Sequence, residues 1–356
     1  MLPLSDETYK IISKFFFKEG NKETTITHKS HPHQLTLVDA GQTYITPPPP
    51  PTFSRTTDGF IDLCNACTKP IMDTMSFYMC TYACDNFMLH EWCTRLPAEL
   101  KGHPGHPQHT LLLLPKVLYK GNDVDLFRCS ACMDHCNGFL YNCDKCNFNI
   151  DVSCAFTHEV KHSSHPHLLS RVRYRPIIKD YCRMCLVSFR YSETSLTCKL
   201  CAFHIHPECG LLFPKTIRHK YDKHPMTLTY GPVENHGGDY FCEVCEEEFN
   251  PNAFFYHCQE CQQSIHLGCV PLDPKRKAYI YGLCREGVSR CFRNIKFGGL
   301  KTIRTSHRHS EFRLLYGTES DGPCNHYCDV LLEDFMILKC QLCEHVMHLG
   351  HIISLP

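Results

Sequence analysis

Residues 240–270 read YFCEVCEEEFNPNAFFYHCQECQQSIHLGCV, and this stretch decides the fold of the chain. Its spacing is C-x2-C-x12-C-x2-C-x4-H-x2-C, so two Cys pairs precede an H-x2-C ending. Two thiolates separated by two residues bind one tetrahedral metal ion, usually zinc, through a tight turn called a knuckle. The stretch offers six candidate ligands, whereas one ion takes four and two ions take eight. Two further ligands are therefore expected outside it.

Two histidines just upstream supply the missing ligands, His219 and His224 in IRHKYDKHPMTLTY. A two-residue gap places both members of a Cys pair on the same ion. Because only four residues separate the second pair from the H-x2-C ending, these two groups are too close in sequence to wrap around one ion. The spacing predicts interleaved sites, in which the first pair joins the ending and the second pair joins the upstream histidines. Four protein ligands close each site and leave no vacancy for water or substrate.

The signature recurs to give five modules of about fifty residues each, which is typical of a repeat protein. In every module the first Cys pair is predicted to share an ion with the terminal residues of the signature. These first sites are Cys64, Cys67, His90 and Cys93; Cys129, Cys132, Asp151 and Cys154; Cys182, Cys185, His206 and Cys209; Cys242, Cys245, His266 and Cys269; and Cys324, Cys328, His348 and His351. Modules of this size have too small a core to fold unaided, so metal binding and folding are expected to be one process.

The second sites combine the second Cys pair with two upstream histidines. When the modules are aligned on the histidine that opens the apolar strand, that position is His in all five, and three have another His five residues earlier. The predicted sets are His28, His33, Cys80 and Cys84; His106, His109, Cys143 and Cys146; His162, His167, Cys198 and Cys201; His219, His224, Cys258 and Cys261; and His307, His309, Cys340 and Cys343.

The choice of the more distant histidine differs between modules. His31 and His165 lie two residues before the strand-opening His, but the corresponding residue of the fourth module is Asp222, so this position is not required there. In the second module both His103 and His106 are candidates. In the fifth module the only nearby substitute is His307, which is taken as the ligand.

Between the metal ligands, apolar or aromatic runs before the second Cys pairs predict short core strands, and the H-x2-C endings predict brief helical turns. The predicted fold class is therefore small zinc-stabilised modules, mostly β and loop. A Pro-rich spacer, 46–53, interrupts the first module. The predicted bounds are 1–27 for an N-terminal appendage, 28–97, 103–156, 162–212 and 219–272 for the first four modules, 273–304 for a spacer and 305–352 for the fifth module.

Disulfides are the alternative explanation for 27 Cys in 356 residues. They predict a secreted protein, yet the N-terminus MLPLSDETYK carries charges by residue 6 and has no apolar segment of a signal peptide. Paired Cys with 25 interspersed His suit metal ligation in a reducing compartment. We therefore expect reduced, metal-bound thiols and an intracellular location, cytoplasmic or nuclear.

The charge balance gives no general reason to expect a nucleic-acid or anionic-membrane partner. The formal net charge is zero and the pI is about 7.3, so there is no general attraction to nucleic acid or to anionic membranes. Small basic clusters such as 275–277 are interpreted as solvated faces. No run of eighteen apolar residues occurs, so no transmembrane segment is expected.

The repeated motifs HPHxLxL, F-x-Y-x-C-x2-C, NFMLHEWC and IRHKYDKHPMTLTY resemble the plant cysteine/histidine-rich divergent C1 (DC1) domain family over about residues 28–352. The resemblance implies a tandem array of five C1-like zinc fingers, related to the C1 domains that bind diacylglycerol and phorbol esters in kinases. It also implies roles in intracellular signalling or stress response. Asp151, His351 and the wider gap from Cys80 to Cys84 depart from the family pattern, although Asp and His can still bind zinc. Two Zn²⁺ per module give ten in total, and as few as eight if the first or second module does not bind its ions.

PHD and RING fingers share parts of this signature. A PHD finger ends with a further downstream Cys pair, but only IISLP follows His351, and the PHD register would leave three upstream histidines of the first module without a role. The upstream-His register is therefore favoured. A RING finger, and with it ubiquitin ligase activity, fails for similar reasons of order and spacing.

Three functions follow as hypotheses. The leading one is a non-enzymatic, zinc-stabilised repeat array that binds a partner, a protein or else a lipid head group. The alternative is lipid binding through the modules, with diacylglycerol as the ligand, although the modules lack the final C1 cysteine and the fourth carries acidic EEEF between its Cys pairs. The third is disulfide reductase activity, for which Cys136, Cys284 and Cys291 are the only thiols outside the signature. No catalytic residues are assigned.

Overall fold

The computed structural model describes residues 23–42, 62–71, 75–82, 84, 86–117, 124–173, 180–189, 194–213, 215–219, 223–234, 238–270, 294–326, 328–333 and 335–352. The predictions for the Pro-rich spacer, for Cys284 and Cys291 and for the basic cluster 275–277 lie outside these residues. Among the described residues, no helix combines the length and the hydrophobicity that a bilayer crossing requires.

Each signature folds into a four-stranded antiparallel sheet whose strands lie side by side in the order in which they occur along the chain. The first sheet contains β1 (Thr25–Ile26), β2 (Leu35–Val38), β3 (Phe77–Cys80) and β4 (Met88–His90). The second contains β5 (Glu99–Leu100), β6 (Leu111–Leu114), β9 (Leu140–Asn142) and β10 (Asn149–Asp151), and a separate pair, β7 (Phe127–Arg128) and β8 (His135–Cys136), lies between β6 and β9 in sequence.

The remaining three sheets have the same order. The third contains β11 (Glu159–Val160), β12 (Leu169–Arg173), β13 (Thr194–Cys198) and β14 (His204–Ile205). The fourth contains β15 (Thr216–Arg218), β16 (Pro225–Thr229), β17 (Phe255–His257) and β18 (Ser264–His266), and the fifth contains β19 (Leu300–Thr302), β20 (Glu311–Tyr316), β21 (Met336–Cys340) and β22 (Val346–His348). The first strand of every sheet lies just ahead of the predicted start of its module. The module bounds themselves stay predictions.

A short helix follows the last strand of every sheet, as the H-x2-C endings predict. Two are α-helices, α1 (Val152–Phe156) and α2 (Pro207–Leu212). Three are 3-10 helices, Glu91–Arg95, Leu267–Cys269 and Leu349–His351, and a fourth 3-10 helix, Glu319–Asp321, lies in a loop of the fifth module. Because the last ligand lies within the first turn or two, the helix returns it toward the end of the strand.

Strand register places the metal ligands side by side. On β3, Cys80 lies opposite Leu35, two residues after the strand-opening His33. On β21, Cys340 lies opposite Phe312, three residues after His309. The antiparallel pairing thus holds each second Cys pair beside the upstream histidines, which is the arrangement that the second sites require.

The cores are small and consist mainly of the predicted strands. Phe77 of β3, Tyr141 of β9, Phe255 of β17 and Ile337 of β21 are all buried. The predicted fold class, small and mostly β modules with multiple Cys/His clusters, is confirmed. Each sheet offers only a few such apolar residues, which supports the expectation that metal ions complete the stability of the modules.

The chain divides into two compact units. One contains the third and fourth modules with two short pieces of the second, 130–133 and 153–156; the other contains the first module, most of the second and the fifth. In the latter unit Val124 and Leu126 join the hydrophobic core of the fifth module. An ion pair between Lys301 and Asp125, 2.9 Å from Nζ to Oδ2, reinforces this contact between modules.

Candidate metal centres

The first site of the first module is a compact, buried group of four donors. Cys64, Cys67, His90 and Cys93 offer ligand atoms that all lie within 4.8 Å of one another. The Nδ1 atom of His90 lies 3.3 Å from Cys67 Sγ and 3.9 Å from Cys93 Sγ. Two donors on one tetrahedral zinc ion, with Zn–S of about 2.3 Å and Zn–N of about 2.0 Å, are about 3.5 Å apart. The donor set therefore fits zinc.

The third and fourth modules repeat this geometry. Cys182, Cys185, His206 and Cys209 also lie within 4.8 Å of one another. The distances from His206 Nδ1 to the sulfurs of Cys185 and Cys209 are 3.4 and 3.8 Å. In the fourth module Cys245 Sγ lies 3.3 Å from His266 Nδ1, and the Cys269 thiol contacts those of Cys242 and Cys245.

The fifth module completes its first site with histidine in place of the last cysteine. Cys328 Sγ lies 3.2 Å from Nε2 of His348 and 3.2 Å from Nε2 of His351. Cys324 is buried and contacts Cys328. Both histidines use Nε2 here, whereas His90, His206 and His266 use Nδ1. The longer reach of Nε2 lets a histidine on the short helix stand where a cysteine stands elsewhere.

Asp151 occupies the strand position of the missing histidine in the second module. In the strand register, His90, His266 and His348 each lie opposite the residue that is three positions before the second Cys pair of their module. Asp151 lies opposite Leu140, which is also three positions before the second Cys pair of its module. Its side chain is buried. The partner residues Cys129, Cys132 and Cys154 are also buried, but a common site for the four stays a prediction.

The second site of the first module differs from the sequence prediction in one ligand. The structure groups His31, rather than His28, with His33, Cys80 and Cys84. Nδ1 of His33 lies 3.0 Å from Cys84 Sγ. His28 instead hydrogen-bonds Ser30 through Nδ1, at 2.6 Å, and also bonds the Thr94 backbone. Its ring nitrogens are thus engaged within the protein.

The third module requires the same correction. His165, rather than His162, lies with His167, Cys198 and Cys201. His162 Nδ1 contacts Ser164 Oγ at 2.6 Å, and its Nε2 donates to the carbonyl oxygen of Gly210 at 2.9 Å. Because both ring nitrogens of His162 form hydrogen bonds, neither has a lone pair available for a metal ion.

In the second and fifth modules the structure brings together the predicted residues. His106, His109, Cys143 and Cys146 lie within 4.8 Å of one another, and Cys146 Sγ is 3.2 Å from His106 Nε2 and 3.3 Å from His109 Nδ1. In the fifth module the shortest contacts are Cys343 Sγ to His307 Nε2 at 3.3 Å and Cys340 Sγ to His309 Nδ1 at 3.4 Å. The buried His103 is set apart from this second-module group, and its Nδ1 accepts from the Gly105 backbone at 3.1 Å.

The fourth module places one predicted histidine beside its second Cys pair. His224 Nδ1 lies 3.1 Å from Cys261 Sγ, while its Nε2 lies 3.0 Å from Glu260. His219 is buried and has the sequence position that His28 and His162 have in their modules. The assignment of His219 as a ligand stays a prediction, and the hydrogen-bonded role of His162 argues against it.

With this geometry in place, comparisons with known proteins identify the modules. Residues 29–94, 104–155 and 219–270 match the family model described as C1 domain. The chain contains C1 domains in several copies. The matched stretches correspond to the first, second and fourth modules, and the third and fifth share their strand order and donor clusters. No curated protein and no solved structure matches the chain.

A stacked ring supports the first histidine of the second site in this C1-domain protein. His31 stacks on Phe87 with ring centroids 4.1 Å apart. The equivalent pairs are His106 with Phe148 at 4.4 Å, His165 with Phe203 at 4.3 Å and His307 with His345 at 4.2 Å. The fourth module has Asp222 and Gln263 at these two positions. In modules two, three and five, a Phe or His lies five residues after the first Cys of the second pair. This residue is the sequence signal that would have identified His165 as the stacked histidine of the second site.

Backbone amides point at the sulfurs of the knuckles. The N–H groups of Ala66, Leu200 and Leu342 donate to the preceding knuckle sulfur at 3.3–3.4 Å. Such bonds favour thiolates, the form that binds metal. The 25 described cysteines form no disulfide among themselves.

The candidate ligands in the first site of the first module differ in pKa. Burial raises the pKa of the Cys64 thiol, but contacts with Cys67, Cys93 and His90 lower it further, so this pKa lies well below its ordinary value. Burial, together with contacts to the neighbouring thiols, raises the pKa of Cys93 well above its ordinary value. Without metal, the buried site therefore stabilises one thiolate and keeps protons on the rest, and zinc must displace those protons when it binds.

A ring nitrogen at the second site of the first module fits a metal ligand. His31 Nε2 is buried and has no hydrogen-bond partner among the described residues. An unsatisfied buried nitrogen is costly unless something else occupies its lone pair. A zinc ion held by His31, His33, Cys80 and Cys84 would do so, and it would supply structural cross-linking rather than reactivity.

Proposed function

We propose that this C1-domain protein is a non-enzymatic, zinc-stabilised array that binds a protein partner in intracellular signalling or stress response. The closed donor clusters carry this proposal. Each fully described cluster joins four protein donors, for example Cys64, Cys67, His90 and Cys93. Such a set satisfies a tetrahedral ion without an open position for water or substrate, which favours a structural over a catalytic metal.

Zinc content is the first test. Native mass spectrometry of the full chain, purified without chelator, should find eight to ten Zn²⁺, two for each module less any failure in the first or second. Chelation should abolish the β-sheet circular dichroism because the small cores depend on the ions. A well-folded chain without metal would overturn the proposal.

Partner binding is the second test. Affinity purification with the zinc-loaded chain should recover a protein that binds saturably when reconstituted from pure components. The same partner should bind at least about tenfold more weakly to a variant in which one module has lost its zinc, if that module supplies contacts. The absence of catalysis is tested in parallel, since the zinc-loaded chain should not reduce insulin disulfides.

Lipid binding is a second candidate, favoured by three exposed apolar residues at equivalent knuckle tips. Tyr82, Leu200 and Leu342 lie between the paired cysteines of the second site and are 60%, 76% and 66% exposed. Liposome co-sedimentation with and without diacylglycerol tests it. Sedimentation that requires diacylglycerol, and that is lost in Leu200→Ser and Leu342→Ser, would replace the protein-partner proposal.

A further inference from the structure

The first knuckle of the first module is covered by another part of the same chain. The N–H group of Phe139, in the second module, donates to the carbonyl oxygen of Ala66 at 2.9 Å. Phe139 also stacks on His28 with ring centroids 6.2 Å apart. A Cβ atom on the adjacent Gly138 would clash with the Ala66 carbonyl, so the backbone approaches as closely as glycine permits. The covering segment is a Gly-aromatic pair, Gly138 and Phe139, that lies just before β9.

A second segment adds a lysine to this contact. Lys296 donates from Nζ to Asn65 Oδ1 at 2.6 Å and to the Asn86 carbonyl at 2.8 Å. Lys69 donates in turn to Asn294 Oδ1 at 3.0 Å. The side chain of Asn137 ties the two covering segments together through bonds to the Lys296 backbone. The covered knuckle thus receives an apolar side chain, a backbone N–H group and an ammonium group.

The same type of contact recurs elsewhere. Thr194 has the position in the third module that Phe139 has in the second, four residues before the second Cys pair, and its hydroxyl donates to the Cys132 carbonyl of a first knuckle at 3.4 Å. The side chain at the position of Ala66 is also buried in the third module, where Met184 is 1% exposed, the same value as Ala66. The first knuckles of the first and second modules thus each accept a hydrogen bond from the module that follows, and the position of Ala66 is buried again in the third module.

The first knuckle of the fourth module differs. Val244 has the position of Ala66 and Met184 but is 45% exposed, and the neighbouring Phe241 is 53% exposed. Cys245 is exposed as well. Val244 thus remains in solvent at a position that the first and third modules bury. Phe241 extends this apolar surface, as Tyr181, which is 52% exposed, does at the equivalent position of the third module. Exposed apolar side chains that lie together are a mark of an interaction site.

The charge of this surface specifies its partner. Glu243 has the position of Asn65, the residue that receives the Lys296 ammonium group in the first module, and Glu247 has the position of Lys69. Glu246 and Glu248 are exposed beside them. A lysine arriving as Lys296 does would meet a carboxylate instead of an amide, and the loss of Lys69 removes the one cation that would oppose it.

We propose that the first knuckle of the fourth module, residues 241–248, docks a segment of another protein in which a Gly-aromatic pair lies just before a β-strand and lysine or arginine lies beside it. This inference rests on the proposed role as an interaction array and specifies the face and the chemistry of the partner. The contacts of Phe139 and Lys296 on the first module are its template.

The test uses a labelled peptide built on that template. The probe is KNGFLYNK, the sequence of residues 137–142 with a lysine at each end. Its binding to the full zinc-loaded chain is followed by fluorescence anisotropy at low and high salt. We expect saturable binding that weakens with salt and that is about tenfold weaker in the double variant Glu243→Lys, Glu247→Lys. Val244→Ser should weaken it by a similar factor.

Matched controls carry the same changes on exposed residues of the fifth module, Glu311→Lys with Glu333→Lys and, separately, Val330→Ser. Binding to these controls should equal that of the unmodified chain. A peptide with its lysines replaced by glutamate should not bind. Zinc content measured on every sample separates the two proposals, because intact zinc with no peptide binding overturns only the docking face.

Three results would overturn the proposal. They are the absence of saturable binding, equal weakening in the two charge-reversed variants, and concentration-dependent self-association that Glu243→Lys abolishes. The last would assign a second copy of this chain to the face. Loss of zinc from the unmodified chain would instead overturn the proposed function.

Discussion

The Nε2 atom of His162 donates to the carbonyl oxygen of Gly210 at 2.9 Å and so ties the start of the third module to the helix that ends it. In the first module His28 bonds the backbone of Thr94, which likewise follows the last cysteine of its module. His28 and His162 each lie three residues before the first histidine of the second site, and each acts as a clamp, a hydrogen-bonded histidine that joins the start of its module to the helix at its end. The first histidine of that site, His31 or His165, carries the candidate ligand nitrogen.

Replacing the clamp and replacing the ligand should have different outcomes. His162→Ala should leave the zinc content unchanged and lower the stability of the third module by about 1–3 kcal/mol, because the buried Gly210 carbonyl loses its donor. His165→Ala should lose one zinc ion. Native mass spectrometry and chemical denaturation of both variants check this. A lost zinc in His162→Ala would restore the ligand assignment that the spacing predicts.

The fourth module offers the same test where the ligand set is still open. His224→Ala should lose one zinc because Nδ1 of His224 lies 3.1 Å from Cys261 Sγ. His219→Ala should retain it if His219 is equivalent to His162. Equal zinc loss in the two variants would show that the fourth module uses both histidines.

Asp151 is expected to bind zinc more weakly than the histidine it replaces. Asp151→His should slow the release of one zinc ion to a chelator, since its position opposite Leu140 is the one that His90 and His266 have in their sheets. Asp151→Ala should lose that ion. Release kinetics with a chromogenic chelator measure both, and identical kinetics in all three proteins would remove Asp151 from the ligand set.

Gly138 should be intolerant of a side chain. Gly138→Ala should destabilise the contact between the first and second modules by about 1–3 kcal/mol, because the new methyl group would clash with the Ala66 carbonyl. Gly231→Ala is the control, since its Cβ would meet no atom within 4 Å. Hydrogen exchange at Phe139, whose N–H group donates to Ala66, reports the loss directly. Unchanged protection there would contradict the close approach.

Asp321 gives the fifth module a pH-dependent stability. Burial raises the pKa of this carboxyl, but hydrogen bonds from the backbone and hydroxyl of Thr318 and from Lys339 lower it further, so its pKa is below the ordinary value. The folded pKa is depressed, so the stabilisation is present above the ordinary carboxyl pKa and is lost as the pH falls through the folded value. Asp321→Asn should therefore destabilise the chain at neutral pH and differ less from it in acid.

Denaturation midpoints of Asp321→Asn and the unmodified chain across the acid range check this difference. The comparison is between the two proteins at each pH because acid also releases zinc from both. Glu319→Gln, on the same 3-10 helix, is the control and should follow the unmodified chain. A constant difference between Asp321→Asn and the unmodified chain at every pH would contradict the prediction.

Local spacing determined most of the fold. The gaps between Cys242 and Cys245 and between His266 and Cys269 predict knuckles and short helices because a two-residue gap constrains the backbone directly. The apolar run before Cys258 predicts a strand for the same local reason, and β17 is the result. The sequence by itself therefore determined the modules, their strands and the division into two Cys-containing sites.

Only the tertiary structure decided which upstream histidine faces the metal site and which modules cover one another. His28 and His31 lie three residues apart and both can reach a nearby ion, so the choice depends on the clamp to the helix that ends the module, a contact between residues far apart in sequence. The cover of Ala66 by Phe139 is likewise non-local. Spacing limits which ligands can meet, but the packing of distant segments determines which of them do.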